Sequence, residues 1–256
     1  MFDGPLPREI DPKERLARLR LARSPRIGAV TFHEALGHFG SARAACAELS
    51  TISALQSERE QEQLARIGGQ FIVWGDVGYP AALAALPDAP PLLAAIGDLK
   101  LLARPALAIV GAREASLAGR RFAAEMAAAL GAAGFVIVSG LARGIDAAAH
   151  EAALATGTVA VLAGGIDQVY PPQNAGLHEQ IAAQGLLLAE SPLGTPPVAR
   201  SFPRRNRIVS GLSAGVVVIE AARSLGLPDH RPPGRRAGPR GLCRAGLAHG
   251  PAPRGV

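Results

Sequence analysis

The sequence is poor in aromatic residues and in cysteine, and it has no apolar run long enough to cross a membrane. Seven Phe, two Tyr and one Trp occur among 256 residues, although 48% of the residues are hydrophobic. The core must therefore consist mainly of Ala, Val, Leu and Ile. Two cysteines without paired spacing predict reduced thiols. Because the N-terminus also has no apolar leader, we expect a cytoplasmic protein that does not enter a membrane.

The positive charge is confined to one part of the chain. The formal net charge is +6, and residues 223–256 carry all of it, with seven Arg and one Asp. The preceding 222 residues have a net charge of zero. Overall charge therefore does not indicate a nucleic-acid partner, and such a prediction must rest on clustered arginines.

The hydrophobic pattern divides the chain into three parts. Residues 1–66 have the spacing of short helices, with glycine-containing turns at residues 26–28 and 37–40 that resemble a SAM-like or helix-hairpin-helix module. Residues 67–222 alternate short apolar strands with alanine-rich helices, which predicts an α/β fold with a doubly wound, Rossmann-like, mostly parallel sheet. Residues 223–256 contain six Pro and seven Gly without periodicity, and we expect a disordered basic tail there.

Individual elements follow from the same pattern. The predicted N-terminal helices are Lys13–Ala22, Thr31–Phe39 and Ser41–Leu49, the last with Ser41 as its N-cap. The predicted strands are Phe71–Trp74, Ala106–Val110, Phe135–Val138, Val159–Leu162, Leu186–Ala189 and Val216–Ile219. The helices predicted between them are Leu117–Ala133, Gly144–Ala155 and Asn174–Ala183.

A glycine and an arginine follow the strand Ala106–Val110. A dinucleotide site would have a GxGxxG motif here and an acidic residue after the next strand, and the sequence has neither. Gly111 instead allows close approach of a ligand to the backbone, and Arg113 offers a rigid donor fork for phosphate. The alternative is a tight turn with a solvated arginine.

The next strand ends in a similar segment. Ser139, Gly140 and Arg143 precede a helix, and Arg143 is the side chain that is free to face a ligand. Asp146 is placed to serve the first turn of that helix by its charge. His150 could form a dyad or half a metal site with Asp146, but no nucleophile or third ligand accompanies them, so a packing histidine is the preferred interpretation.

Two later segments also follow predicted strands. Asn174 lies where it can cap a helix, which is its expected role. Residues 202–207, FPRRNR, place three arginines beside an aromatic residue. Such a cluster can pair with several phosphates while Phe202 stacks on a base. A merely solvated run of charge is the alternative.

Residues 78–222 contain an ordered series of motifs, including YPAALAAL, AIVGAREAS, GFVIVSGLARGIDAAAH, VAVLAGGIDQVYPPQN, LLLAESPLGTPP and FPRRNRIVSGLS. This series resembles the DNA-processing protein A family, also called DprA or Smf. The resemblance implies single-stranded DNA binding without sequence preference, protection of that DNA, and loading of the RecA recombinase during natural transformation. It implies neither catalysis nor a cofactor or metal. The site residues that it implies, together with the segments described above, are Arg113, Ser139, Gly140, Arg143, Asn174, Phe202, Arg204, Arg205, Asn206 and Arg207.

The resemblance ends close to Arg223, where the family usually continues with a sequence such as GSLITARLA. Codons can be chosen for residues 227–234 that, read one base later, encode SLITARL, and a second match of this kind covers residues 240–252. We therefore expect residues 223–256 to be the product of a frameshift. Family members form homodimers and contact RecA through the C-terminal part of this fold, so both properties are doubtful for this chain.

Two other classes of function use the same residues. A nucleotide-processing enzyme similar to the lysine-decarboxylase-like phosphoribohydrolases would have a PGGxGTxxE loop with a catalytic glutamate, whereas residues 163–167 read AGGID. A protein-only adaptor would use the arginines to bind acidic protein surfaces. Salt-sensitive binding to oligonucleotides of any sequence would argue against the adaptor.

Overall fold

The computed structural model of the chain describes residues 9–220 and the backbone of residues 243–244. The helices are α1 (Pro12–Arg23), α2 (Ala29–Phe39), α3 (Ala42–Glu48), α4 (Ala54–Arg66), α5 (Ala81–Ala84), α6 (Leu117–Ala132), α7 (Ile145–Ala153), α8 (Ala175–Gln184) and α9 (Ser201–Leu212). The strands are β1 (Gly69–Val73), β2 (Leu92–Gly97), β3 (Ala106–Gly111), β4 (Val136–Ser139), β5 (Thr158–Leu162), β6 (Leu186–Ala189), β7 (Val216–Ile219) and β8 (Cys243–Arg244). Short 3-10 helices lie at Leu99–Ala103 and Pro172–Asn174.

Within these residues the strands form one sheet in the order β1-β2-β6-β5-β4-β3-β7-β8. Neighbours from β6 to β8 are parallel, whereas β2 is antiparallel to both β1 and β6. The chain runs outward from β3 through β4 and β5 to β6, and then returns to place β7 on the other side of β3. Such a reversal opens a crevice at the carboxyl ends of the parallel strands.

Alternate residues of the parallel strands face different layers of helices, as expected for strands that are buried on both faces. Ile109 and Ile137 lie in a buried cluster with residues of α6 and α7. The neighbouring Ala108 and Val138 lie in a second cluster with Ile208 of α9. This arrangement confirms the predicted doubly wound, Rossmann-like α/β fold.

The helices α1 to α4 form the predicted helical module. The side chain of Ser41 accepts a hydrogen bond from the amide of Ala44, which confirms Ser41 as the N-cap of α3. The helix α4 lies outside the three predicted helices. Its sequence, ALQSEREQEQLAR, buries only Ser57 and Leu64, so the apolar signal for a helix is weak there.

Three arginines of α1 join this module to the sheet. Their partners are Asp76 for Arg15, the carbonyl oxygen of Trp74 for Arg18, and the carbonyl oxygen of Glu190 for Arg23. The division at residue 66 stays a prediction. In the structure α4 ends at Arg66 and β1 begins at Gly69.

The strand β2 is absent from the predicted strands. Two prolines precede it, and Ala94 and Ala95 occupy its centre, so its local preference for a strand is low. Pairing with β1 on one side and β6 on the other overrides that preference. Within residues 9–220, no helix has both the length and the apolar character needed to span a bilayer.

The predicted tail, residues 223–256, lies outside the described residues except for the short strand β8. The backbone of β8 pairs in parallel with Val217 and Val218 of β7. The disorder and the frameshift that the sequence suggests for this tail remain predictions.

Candidate nucleic-acid interface

A pocket of about 270 Å³ opens at the carboxyl ends of β3, β4 and β5. Doubly wound sheets bind ligands at this edge. Of the ten predicted site residues, four line the pocket, namely Arg113, Gly140, Arg143 and Phe202. The loops after three neighbouring strands therefore meet the start of α9 at a single concave surface.

One wall of the pocket combines a cation with two aromatic rings. The Cζ atom of Arg113 lies 4.7 Å from the centroid of the Phe202 ring. The ring of Tyr170 lies 6.0 Å from that of Phe202, centroid to centroid, with a tilt of 57°. Phe202 is half-buried and Tyr170 is 45% exposed. This wall can stack on a nucleobase and place a positive charge near its phosphate.

The loop after β4 packs on the loop after β3. Leu141 has a φ of 55° and Gly144 a φ of 78°, so the chain turns sharply through this loop. A Cβ atom at Gly144 would meet the carbonyl oxygens of Ala112 and Arg113. Because Gly144 has no side chain, the two loops can touch, and the exposed Arg143 lies on the same pocket as Arg113.

Asn174 does not cap α8 with its side chain, which corrects the expected role. It occupies the N-cap position without a capping hydrogen bond. Its Nδ2 instead donates to the carbonyl oxygens of Leu141 and Ala142, at 2.9 Å and 3.2 Å. These carbonyls lie in a turn outside the sheet ladder and need donors from elsewhere. Asn174 therefore holds the loop after β4 and does not line the pocket.

Buried polar side chains lie beneath the pocket, next to its lining residue Gly140. Ser139 is fully buried and its Oγ donates to the carbonyl oxygen of Ile109 at 2.6 Å, so it joins β4 to β3. Its predicted part in DNA binding stays a prediction. Asp146 accepts hydrogen bonds at Oδ2 from the amides of Gly140, at 3.1 Å, and Ala142, at 3.4 Å. Burial raises the pKa of Asp146, while the charge of Arg205 and the amide donors oppose that shift.

The three arginines of α9 have three different environments. Arg204 has a side chain that is 64% exposed, with Nη2 3.2 Å from Oε1 of Glu190. The Arg207 side chain is only 10% exposed and pairs with both Glu190 and Asp88. Arg205 is buried beneath the pocket. Of these three, Arg204 is the most exposed to a phosphate in solution. The ion pairs of Arg207 indicate a structural role, and its predicted contact with DNA stays a prediction.

Arg205 and the half-buried Asn206 have partners inside the protein, and their predicted contacts with DNA stay predictions. The Arg205 Nη1 donates to the carbonyl oxygens of Gly140 and Val161, the latter at 2.7 Å. The Arg205 Nε donates to Oδ1 of Asn206 at 3.1 Å. A buried guanidinium needs such acceptors, and the ends of β4 and β5 supply them.

His150 is a buried packing residue, as the sequence indicates. Its Nδ1 lies 2.7 Å from Oγ1 of Thr158, and that hydroxyl donates its own hydrogen to the carbonyl oxygen of Ile137. His150 must therefore donate through Nδ1, which leaves its buried Nε2 without a protein partner. Burial, with a smaller contribution from the charge of Arg205, lowers the pKa of His150 to about 3. Among the described residues, no group of three potential ligands could hold a metal ion.

Tyr170 is a pocket residue that the sequence analysis did not single out. It begins the segment YPPQN, in which the nearby Asn174 suggested only the start of a helix. An aromatic residue between a glycine-rich strand end and two prolines was the available signal. Tyr170 follows the strand in a surface loop, and its ring is partly exposed.

These features define a class of protein: a Rossmann-like α/β protein with a helical N-terminal module and a cationic, aromatic pocket at the carboxyl edge of its sheet. The sequence profile of DNA recombination-mediator protein A matches residues 70–227, and that of the DprA-like N-terminal HHH domain matches residues 12–66. The chain therefore belongs to the DNA recombination-mediator protein A family, which confirms the resemblance seen in its motifs.

Curated relatives match more than half of the chain. Protein Smf of Synechocystis is 46% identical over 158 residues, which cover 59% of this chain and 40% of that protein. DNA processing protein DprA of Streptococcus pneumoniae is 45% identical over 145 residues, which cover 56% of this chain and 51% of that protein. The chain thus spans about half or less of the length of these relatives.

Two solved structures are similar in fold. The X-ray structure of DNA processing protein A from Streptococcus pneumoniae has a TM-score of 0.71 and 30% identity, covering 85% of this chain and 80% of that one. A structure of DNA processing protein A from Helicobacter pylori has a TM-score of 0.55 and 34% identity, covering 60% of this chain and 71% of that one. The latter structure concerns the single-stranded DNA binding mode of the Helicobacter protein.

Proposed function

We propose that this chain binds single-stranded DNA without sequence preference in the pocket at the carboxyl ends of β3, β4 and β5. The observation that carries the proposal is the contact between Arg113 and the ring of Phe202, with Tyr170 beside them. Every nucleobase has a π face, so stacking on these rings is independent of sequence. Arg113, Arg143 and the exposed Arg204 supply positive charge for the phosphates.

Family membership supports a proposal for the biological role. We propose that the chain acts by binding rather than catalysis, in the cytoplasm, where it protects incoming DNA during natural transformation and helps to load RecA recombinase. The single-stranded DNA binding mode of the Helicobacter relative supports the choice of ligand. The names of the Streptococcus and Bacillus relatives, DNA processing protein DprA, support the process.

A titration of a fluorescein-labelled oligo-dT with the full chain, followed by anisotropy at several salt concentrations, tests the ligand and the site together. We expect Phe202→Leu to lower affinity by roughly 5- to 150-fold, because one stacked base contributes about 1–3 kcal/mol. Arg113→Ala should lower affinity and also flatten the salt dependence, by about 0.7 in the slope of log K against log [salt] for each lost phosphate contact.

The matched control is Arg66→Ala. The Arg66 side chain is 76% exposed and pairs with Glu62, so its removal takes away one surface positive charge. It precedes β1 at the opposite edge of the sheet, since Gly69 pairs with Ile96 near the amino end of β6. Equal losses in Arg66→Ala and Arg113→Ala would disprove the site, and absence of binding by the unaltered chain would disprove the ligand.

The recombinase step has its own assay. RecA assembly on oligonucleotides coated with single-strand-binding protein is measured with and without the chain. Acceleration by the unaltered chain but not by Phe202→Leu would support loading through the pocket. An equal rate with and without the chain would contradict the loading role while leaving the DNA-binding proposal intact.

A further inference from the structure

We infer that Arg205 is a positioning residue of the DNA-binding pocket, which holds the Gly140 loop and Phe202 in place from beneath without touching the ligand. The inference deepens the proposed function and rests on it. It assigns to the middle arginine of the α9 cluster a role that differs from those of Arg204 and Arg207.

The first argument is that the peptide groups around Gly140 are held from two sides. The amide of Gly140 donates to Oδ2 of Asp146 at 3.1 Å, and its carbonyl oxygen accepts from Nη1 of Arg205. The same carboxylate oxygen accepts from the amide of Ala142 at 3.4 Å. Opposite charges thus fix the donor and the acceptor of one pocket-lining residue, and both charged groups are buried.

The second argument is steric. A Cβ atom at Gly140 would overlap the guanidinium of Arg205. The close approach of the arginine therefore requires glycine at position 140. The absence of a Cβ atom at Gly140 makes room for the Arg205 guanidinium.

The third argument links Arg205 to the aromatic wall. Arg205 lies three residues after Phe202 in α9, so the two side chains leave neighbouring positions on the same side of the helix. Arg205 anchors this first part of α9 to the ends of β4 and β5 through the carbonyl oxygens of Gly140 and Val161. Phe202 is thereby held where Arg113 can stack on its ring.

The chemistry requires arginine and not merely a positive charge. The Arg205 guanidinium donates through Nη1 to two strand-end carbonyls and through Nε to Asn206, in directions fixed by its planar geometry. A lysine ammonium has a different reach and lacks the Nε donor. Lysine would therefore keep the charge and lose the geometry.

The test compares Arg205→Lys with Arg205→Met in the full chain. Urea unfolding establishes that each variant is folded, and hydrogen exchange followed by NMR reports the amides of Gly140 and Ala142 without DNA. We expect both variants to bind labelled oligo-dT at least ten-fold more weakly than the unaltered chain, with lysine no better than methionine. We also expect at least ten-fold faster exchange at Gly140 and Ala142, with the central amides of α6 unchanged.

A double variant separates positioning from direct contact. If Arg205 acts through Phe202 and its surroundings, Arg205→Lys should cost much less affinity in a Phe202→Leu background than in the unaltered chain. Additive losses, or recovery of affinity by lysine relative to methionine, would identify a direct charge contact and overturn the inference. Wild-type affinity in Arg205→Lys would overturn it as well.

Gly140→Ala keeps the experiment decisive if the Arg205 variants do not fold. The added methyl group displaces the guanidinium and retains its charge, and the same loss of affinity and local amide protection is expected. Unchanged affinity in a folded Gly140→Ala chain would overturn the inference. Failure of the unaltered chain to bind any oligonucleotide would instead overturn the proposed function, and the inference with it.

Discussion

Arg204 and Arg207 lie one turn apart on α9, and both contact Oε1 of Glu190, at 3.2 Å and 2.5 Å. The Glu190 side chain is 10% exposed, as is that of Arg207, whereas that of Arg204 is 64% exposed. One carboxylate therefore joins a buried arginine to a solvated one. A phosphate that displaced Arg204 from Glu190 would leave the buried pair intact.

Removal of Arg207 should accordingly affect mainly stability, and removal of Arg204 mainly DNA binding. Arg207→Ala leaves a buried carboxylate with only its exposed partner, and we expect it to lower the free energy of unfolding by about 3 kcal/mol. Arg204→Ala removes a surface ion pair, with an expected cost below about 1 kcal/mol, but it should weaken oligonucleotide binding. Urea denaturation and anisotropy measure the two effects, and a large stability loss in Arg204→Ala would contradict this division.

His150 should make stability depend on pH in mildly acidic solution. Its folded pKa, lowered to about 3, lies below the ordinary value of 6.5. As the pH falls, the unfolded chain therefore takes up this proton before the folded chain does. The contribution of neutral His150 to the free energy of unfolding is complete above pH 6.5 and is lost progressively toward pH 3. Between these two pH values, the free energy of unfolding should fall by up to about 1.4 kcal/mol for each pH unit.

The matched variant is His150→Gln, which can still donate to Thr158 but cannot take up a proton. The free energy of unfolding is measured for both chains between pH 5 and 7.5, and the difference between the two curves cancels groups that are common to both. We expect the free energy of unfolding of the unaltered chain to fall relative to that of His150→Gln as the pH falls. Parallel curves would show that His150 is not held neutral by burial.

Asn174 should act on the pocket through the loop after β4. Asn174→Asp replaces an amide donor by a carboxylate that faces the carbonyl oxygens of Leu141 and Ala142. We expect a loss of about 1–3 kcal/mol in stability from the unsatisfied carbonyls, and weaker oligonucleotide binding. Asn174→Ala should lose less stability because it adds no repulsion. An aspartate variant as stable as the unaltered chain would indicate a capping role after all.

The helical module and the sheet should unfold in one step. The bonds from Arg15, Arg18 and Arg23 of α1 cross between them, and His33 of α2 stacks edge-on against Trp74, with ring centroids 4.6 Å apart. We expect coincident urea transitions by tryptophan fluorescence and far-ultraviolet circular dichroism, because Trp74 is the single tryptophan of the chain. Arg18→Ala should shift both transitions together, and two separated transitions would instead show independent units.

The architecture could largely be predicted because buried parallel strands have a strong local signature. Leu186–Ala189 and Val216–Ile219 are four-residue apolar runs, and the structure gives β6 and β7 these same bounds. The strand β2 has no such signature, since its alanines gain strand character only from pairing with β1 and β6.

The candidate site was predictable in position but not in the role of each side chain. Sequence spacing places Arg204, Arg205 and Arg207 together, and nothing local to the motif reveals that two of them point into the protein. That distinction depends on residues far away in sequence, such as Gly140, whose carbonyl oxygen Arg205 reaches across 65 positions. Asn174 also depends on distant residues. Asparagine is a typical capping residue, but here its side chain donates to carbonyl oxygens 33 and 32 positions earlier in the sequence.

The contact between Gly140 and Arg205 also constrains how the pocket floor can change over evolutionary time. A side chain at position 140 is harmful while the guanidinium occupies that space, and loss of the guanidinium leaves Asp146 as a buried charge without its counterpart. A substitution at any one of Gly140, Asp146 and Arg205 is therefore unfavourable while the other two are unchanged. We expect these three positions to be inherited as a set, whereas the loss of one exposed arginine above them, such as Arg143 or Arg204, should weaken binding without disturbing the packing of the pocket floor.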